Sequence, residues 1–287
     1  MKIIKKIISS SEDKTIKFLQ QTEDENMIET GYYDLDEQII CISSQVGCPM
    51  GCVFCATGSP DDLERPRLNF IRNLTSEEIV SQVKNVLDSL NKDNLLKKRI
   101  LFSFMGMGEP FLNYDNVLGS IKRLIKIYPD SRVTIATIGT EVKLIRKLAR
   151  KPLKTILKIH LSLHAPNDKL RKKILPKAGK IQEALDALKY FSQERNVSCK
   201  VNYILIKDLN DSKENALELA KLLKHYPFIV KLSNLNNFNK LEGSGLDKFD
   251  LFEKILNSNN IKTCRFISIG TDIEAGCGQL RRHYHIV

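Results

Sequence analysis

An α/β fold, an open partial (β/α)6 barrel preceded by a small N-terminal β extension, is what the sequence predicts. Short, β-branched apolar runs alternate with amphipathic helical stretches from about residue 38 onward. Such alternation implies parallel pairing with right-handed crossovers. The 287 residues hold six such units, whereas a closed eight-unit barrel would need more chain. A doubly wound sheet is the alternative topology.

In order, residues 1–37 read as the β extension, with TIKFLQQ and MIETGYY as its strand-like runs, and 38–287 as the barrel. QIICISS (38–44) is the first barrel strand. A cysteine-rich loop follows, then a helical LTSEEIVSQVKNVLDSL opened by a capping box from Thr75 to Glu78. RILFSF (99–104) precedes a helix near NYDNVLGSIKRLIKIY, and RVTIAT (132–137) precedes EVKLIRKLAR. LKIHLSL (157–163) leads to a short helix near NDKLRKKIL. CKVNYILI (199–206) leads to a helix opened by Asn210-Asp211-Ser212, FIVKLSN (228–234) to LDKFDLFEKILNS, and TCRFISI (263–269) is the last strand. The most loop-like stretches are 56–70 and 236–245.

No apolar run is long enough to cross a bilayer, and the lysine-rich N-terminus lacks a signal peptide's apolar core, so a cytoplasmic protein is expected. Seven cysteines in such a chain argue against a disulfide scaffold and for metal or thiol chemistry. Net charge is +11, and between Lys143 and Lys180 thirteen cations stand against one carboxylate, Asp168. A basic face of that size attracts phosphate backbones, and a plain solvated surface is the competing reading.

Cys48, Cys52 and Cys55 form C-x3-C-x2-C just after the first barrel strand, the end where barrel chemistry sits. Three thiolates can wrap one soft-metal site, whereas a structural zinc wants four closed ligands. A four-iron cluster held by three cysteines leaves one iron open to an amine and a carboxylate, as S-adenosylmethionine (SAM) offers. MGMGEP (105–110) follows the second strand, its glycines allowing close approach and Glu109 suiting an ammonium group; a plain turn is the bland reading. Ser162 and His164 can bond a ribose or a carboxylate, and Asn236 an adenine or ribose edge. A lone His is nevertheless more often structural. Cys199 and Cys264 sit in strands and read as buried structural thiols.

Together CISSQVGCPMGCVFCATG, FIRNLTSEEIVSQV, FMGMGEPFLNYDNV, HLSLHAPNDKLRKKILP and GTDIEAGCGQL resemble the RlmN/Cfr family of radical SAM adenosine methyltransferases, from about Ser10 to about Arg282. The resemblance implies a partial barrel with a 4Fe-4S cluster on Cys48, Cys52 and Cys55. It implies SAM contacts from Gly108, Glu109, Ser162, Leu163, His164 and Asn236. Cys277 matches the cysteine that first takes a methyl group, Cys41 the second catalytic cysteine, and Glu29 a proton-accepting glutamate.

The implied reaction joins a ring carbon of adenosine, C2 first and C8 as the alternative, to a methyl group carried on Cys277. Cys41 then frees the product by forming a disulfide with Cys277. The implied substrate is 23S rRNA, tRNA or both, with radical chemistry on another substrate as the further alternative. An external reductant of the flavodoxin type and a monomer are implied as well. The family's N-terminal helical domain is missing from this sequence, which places RNA affinity on the basic 143–180 face or on a partner. Ala136 stands where the family has a serine, and the 56–70 loop is longer than the family's.

Overall fold

The computed structural model of the chain describes residues 1–10, 15–58, 69–90, 98–236, 240–266, 269–273 and 279–283. One ten-stranded sheet organises it. Its N-terminal part is antiparallel: β1 (Lys2–Ile8), β2 (Ile16–Gln21) and β3 (Met27–Asp34) lead into β4 (Gln38–Cys41). From β4 the sheet continues in parallel through β7 (Ile100–Phe104), β8 (Arg132–Thr137), β9 (Leu157–Ser162), β10 (Lys200–Leu205), β11 (Ile229–Asn234) and β12 (Thr263–Phe266). The short pair β5 (Gln45–Val46) and β6 (Arg72–Asn73) flanks the cysteine loop.

The parallel strands lie side by side in chain order. A doubly wound sheet reverses that order at a switch point; here it never reverses, so the partial barrel is the topology. β1 and β12 are the two edges, which leaves the sheet open.

Between the strands run α1 (Ser76–Ser89), α2 (Tyr114–Ile127), α3 (Val142–Ala149), α4 (Asp168–Ile174), α5 (Ile181–Arg195), α6 (Lys213–Leu223) and α7 (Leu246–Ser258), with α8 (Gln279–His283) at the end. The capping box opens α1: the Glu78 amide donates to Thr75 Oγ1 at 3.2 Å, and the Thr75 amide donates to Glu78 Oε2 at 2.8 Å. α5 was not expected. Its stripe of Ile181, Ala184, Leu185, Ala187, Leu188 and Phe191 is buried, but the alanines that let it sit close to α3 and β9 dilute its apolar signal.

Alternate strand residues divide sharply. One set, including Phe102, Phe104, Ile135, Leu161, Val201 and Leu232, is buried in the large apolar core with the helices. The register puts the other set in rows on the opposite face: Cys41 beside Ser103, Ala136 beside His160 beside Lys200, and Ser162 beside Asn202 beside Lys231 beside Cys264. Apolar, β-branched strands were expected; this inner face is polar instead.

The open edges are bridged by the C-terminal segment. Asp272 accepts from the Ser9 hydroxyl at 2.7 Å and the Ser10 amide at 2.8 Å. Leu280 packs on Leu19 and Met27.

Candidate active site

The cysteine loop leaves β5 through Gly47 and Gly51, both at positive φ, where a side chain is strained. At Gly47 the space is closed as well, since a Cβ would lie 2.0 Å from the Asn69 carbonyl oxygen. Cys48, Met50 and Cys52 are buried in a second apolar cluster with Ile138, Ala165, Leu175 and Leu235, while Cys55 packs at its margin. The loop is tied to α4 by the Val53 amide, which donates to the Ile174 carbonyl at 3.1 Å. None of the six described cysteines is in a disulfide.

Burial, then Cys55, Cys48 and Glu109, push the Cys52 thiol well above its ordinary range. Charge on either neighbouring thiol or on Glu109 thus opposes ionisation of Cys52. Among the described residues, no three His, Cys, Asp or Glu side chains are gathered closely enough to hold a metal ion as they stand. The donor chemistry nevertheless fits a thiolate-bound iron cluster: a bound cation inverts this repulsion and deprotonates the thiols outright.

Glu109 is buried just after β7. Its carboxylate accepts from Thr137 Oγ1 at 2.6 Å, the Ile138 amide at 3.0 Å and the Phe111 amide at 3.3 Å. Burial raises its pKa, and those donors pull the other way. Gly108 precedes it at φ +103°, where a Cβ would lie 2.7 Å from both Ser44 and Gln45. Only glycine therefore brings the turn against β5.

After β9, His164 has φ +56° and is buried. Its Nδ1 accepts from the Ile204 amide at 3.0 Å, and its ring meets Phe54 of the cysteine loop edge-on at 4.9 Å. Burial, then Arg171, press its pKa down to about 3, so the ring is neutral and Nε2 carries the proton. Leu163 is wholly buried, and both its backbone groups are engaged, with the Asn202 carbonyl and Arg171. Ser162 and Asn236 are half-buried at the ends of β9 and β11.

Sequence reasoning placed Arg171 on the basic face. It is instead fully buried, on the same stripe of α4 as Ile174, which was the available signal. Its guanidinium donates to the carbonyls of Leu163 (3.2 Å), Gly179 (2.6 Å), Ile138 (2.7 Å) and Ser162 (3.0 Å). One side chain therefore fixes the turns after β8, β9 and α4 around the candidate SAM ligands. Burial lowers its pKa to about 10.

Cys41 lies at the end of β4, apart from the three loop thiols in its electrostatic surroundings. Burial raises its pKa, Lys17 and Lys231 act against that rise, and Glu29 adds to it. Glu29 is buried on β3. Its Oε2 accepts from Lys17 Nζ at 2.7 Å, and its Oε1 accepts from the Arg281 amide. The backbone beside it is locked by Ser43, whose hydroxyl donates to the Glu29 carbonyl at 2.6 Å and accepts from the Met107 amide at 2.9 Å. Cys277 falls outside the described residues, as do residues 59–68 of the long loop.

The inner face also holds groups that the motifs did not flag. Burial, then Lys200, lower Lys231 to about 8. Lys231 Nζ stands 3.7 Å from the Phe266 ring centroid. His160 is pressed to about 3 by burial and then by Lys231, Lys200 and Lys158. His160 Nδ1 and Asn202 Oδ1 are buried without a hydrogen-bond partner. Cys264, expected to be buried, is half-exposed here and accepts from Lys200 Nζ at 3.6 Å. Cys199 is fully buried, as expected, and burial lifts it to about 11.

Residues 42–220 match the model of the radical SAM superfamily. The chain is 40% identical to a probable dual-specificity RNA methyltransferase RlmN of Pseudothermotoga lettingae, over 98% of this chain and 79% of that protein. It is 38% identical to the protein of the same name from Dictyoglomus turgidum, over 98% of this chain and 80% of that one. The crystal structure of a radical SAM methyltransferase from Sphaerobacter thermophilus superposes with a TM-score of 0.84 at 34% identity, over 96% of this chain and 80% of that one. Among the described residues, no helix is long and apolar enough to cross a membrane.

Proposed function

The chain belongs to the radical SAM superfamily, in the family of the RlmN-named RNA methyltransferases, and on that premise we propose that it methylates C2 of an adenosine in 23S rRNA, in tRNA or in both. The observation that carries the reading is the separation of two thiol environments. Burial with Cys55, Cys48 and Glu109 around it raises the pKa of the Cys52 thiol, whereas Cys41 is set among Lys17, Glu29 and Lys231. A protein that only bound a cluster would have no use for the second.

The superfamily works with a 4Fe-4S cluster and SAM. Cys48, Cys52 and Cys55 hold the cluster in this reading, leaving one iron for SAM. Gly108 and Glu109 receive the amino group, and Ser162, His164 and Asn236 line the nucleoside. Leu163 takes part through its carbonyl, which has a second lone pair beyond the Arg171 bond. When bound, the pair supplies a deoxyadenosyl radical able to take hydrogen from an S-methyl group.

Cys277 carries that methyl group in this reading. Glu29 accepts the ring proton, which requires its bond to Lys17 to yield. Cys41 attacks the Cys277 sulfur, releasing the methylated base as the two cysteines become a disulfide. Two electrons from an external donor, of the flavodoxin type, reopen it.

The test uses reconstituted protein with SAM, a reductant and RNA lacking the modification, followed by nucleoside mass spectrometry. Wild type is expected to give 2-methyladenosine and Cys277→Ala none. 8-Methyladenosine would move the reaction to the neighbouring ring carbon. Deoxyadenosine without methylated RNA would overturn the substrate.

A further inference from the structure

Lys143, Arg146, Lys147, Arg150 and Lys151, with Tyr190, line a recess of about 480 Å³ between α3 and α5. We propose that this recess is a second RNA-binding site that grips backbone phosphates outside the barrel mouth. The proposal rests on the reading that RNA is the substrate.

α3 turns one face, Ile145, Leu148 and Ala149, into the core. Its other face carries Lys143 and Lys147 at i, i+4 with Arg146 beside them, and Arg150 and Lys151 continue the cations just past the helix end. Like charges so placed destabilise a helix, and the dipole at the helix C-terminus offsets only part of that cost. Several cations elsewhere on the surface are neutralised. Arg72 pairs with Asp24 and Glu78, Lys248 with Asp208 and Asp211, and Arg265 with Asp250 and Glu253. Among the described residues, none of the five recess cations has a carboxylate partner.

The arginines are also held ready. Arg146 and Arg150 lie over the Tyr190 ring, their Cζ atoms 5.2 and 5.4 Å from its centroid. Arg150 Nε donates to the Tyr190 hydroxyl, which leaves its two terminal nitrogens for an oxyanion. A guanidinium stacked on a ring loses less rotamer freedom when it binds than a free lysine does.

The topology says where the recess leads. Strand C-termini carry Glu109 and Ser162, and α3 runs back from that end. Arg150 therefore lies about 10 Å further from the mouth than Lys143, at 1.5 Å per residue. α5 starts beside α3, where Gly179 stands close to the Gly139 carbonyl, and Tyr190 lies further along the same wall. A strand of RNA leaving the mouth would run down this wall. An adenosine hairpin confined to the mouth would not reach it.

The test compares cluster-loaded wild type with Arg146→Gln/Arg150→Gln. The probes are full-length transcripts of 23S rRNA and tRNA, and the isolated hairpin that carries the methylated adenosine. For the double variant, the Kd of the full-length substrate should rise about 10–100-fold at 0.1 M salt. The slope of log K against log salt should flatten by about 1.4–1.8, the share of two phosphate contacts. Hairpin affinity and kcat should stay at the wild-type level. Unchanged affinity and slope on the full-length RNA would overturn the proposal and make an acidic protein the occupant to seek. Equal weakening on the hairpin would overturn it too, by assigning the cations to the mouth. Failure of wild type to bind either RNA would instead overturn the RNA reading itself.

Discussion

The two faces of the parallel sheet follow opposite rules. Outward, Phe102, Ile135, Leu161 and Val201 are packed against helices with almost no exposure, as burial of apolar area demands. Inward, on the same strands, stand Cys41, Lys158, His160, Lys200, Asn202 and Lys231, several with their ionisation forced away from the ordinary value. The outer face keeps the sheet folded; the inner face stores unfavourable electrostatics that folding alone does not need. Strain of that kind collects at working sites.

Three substitutions test that division. Phe102→Ala on the outer face should cost the most, about 3–5 kcal/mol of stability in a denaturant titration. A loss under about 1 kcal/mol would remove the contrast.

Thr137→Val, at the rim between the faces, should cost about 1–3 kcal/mol, because it strips a hydroxyl from the buried Glu109 carboxylate. It should also weaken SAM binding in calorimetry, through a carboxylate less able to stay ionised. Full retention of both would mean that Thr137 does not hold Glu109.

Lys231→Met should change stability in the favourable direction. The folded pKa of about 8 lies below the ordinary lysine value, so the folded state resists charging. That cost is fully present below pH 8 and disappears as pH rises toward 10.5. The variant should therefore melt higher than wild type at pH 7, with most of the gap gone by pH 10. A gap that stayed constant across this range would assign the effect to packing.

Much of this architecture is legible in the sequence because strand and helix periodicities are local. The seven barrel strands fall within about three residues of their expected ends, and Thr75 caps α1 through Glu78 as its spacing says. Three kinds of feature were hidden. α5 hides because small alanines, not large apolar residues, make its close contact. Arg171 hides because a charge inside a basic run looks solvated, and only its shared stripe with Ile174 betrays it. The inner-face cluster hides because LKIHLS reads equally as a buried strand or an alternating one, and only the sheet's curl brings Lys231 near Cys41. The cysteine triad, by contrast, sits in one loop, so its sequence spacing alone is enough to propose it as a site.

The contacts at Glu29 set an order of events during synthesis. Lys17 and Glu29 leave the ribosome early and can pair as soon as β2 meets β3. The Arg281 amide, the Leu280 cover and the Asp272 bonds to Ser9 and Ser10 exist only once the far end of the chain has been made. A nascent chain therefore holds a nearly finished barrel whose first strands are still uncovered. Cys41 lies among those strands, so its surroundings are completed only when the last residues arrive.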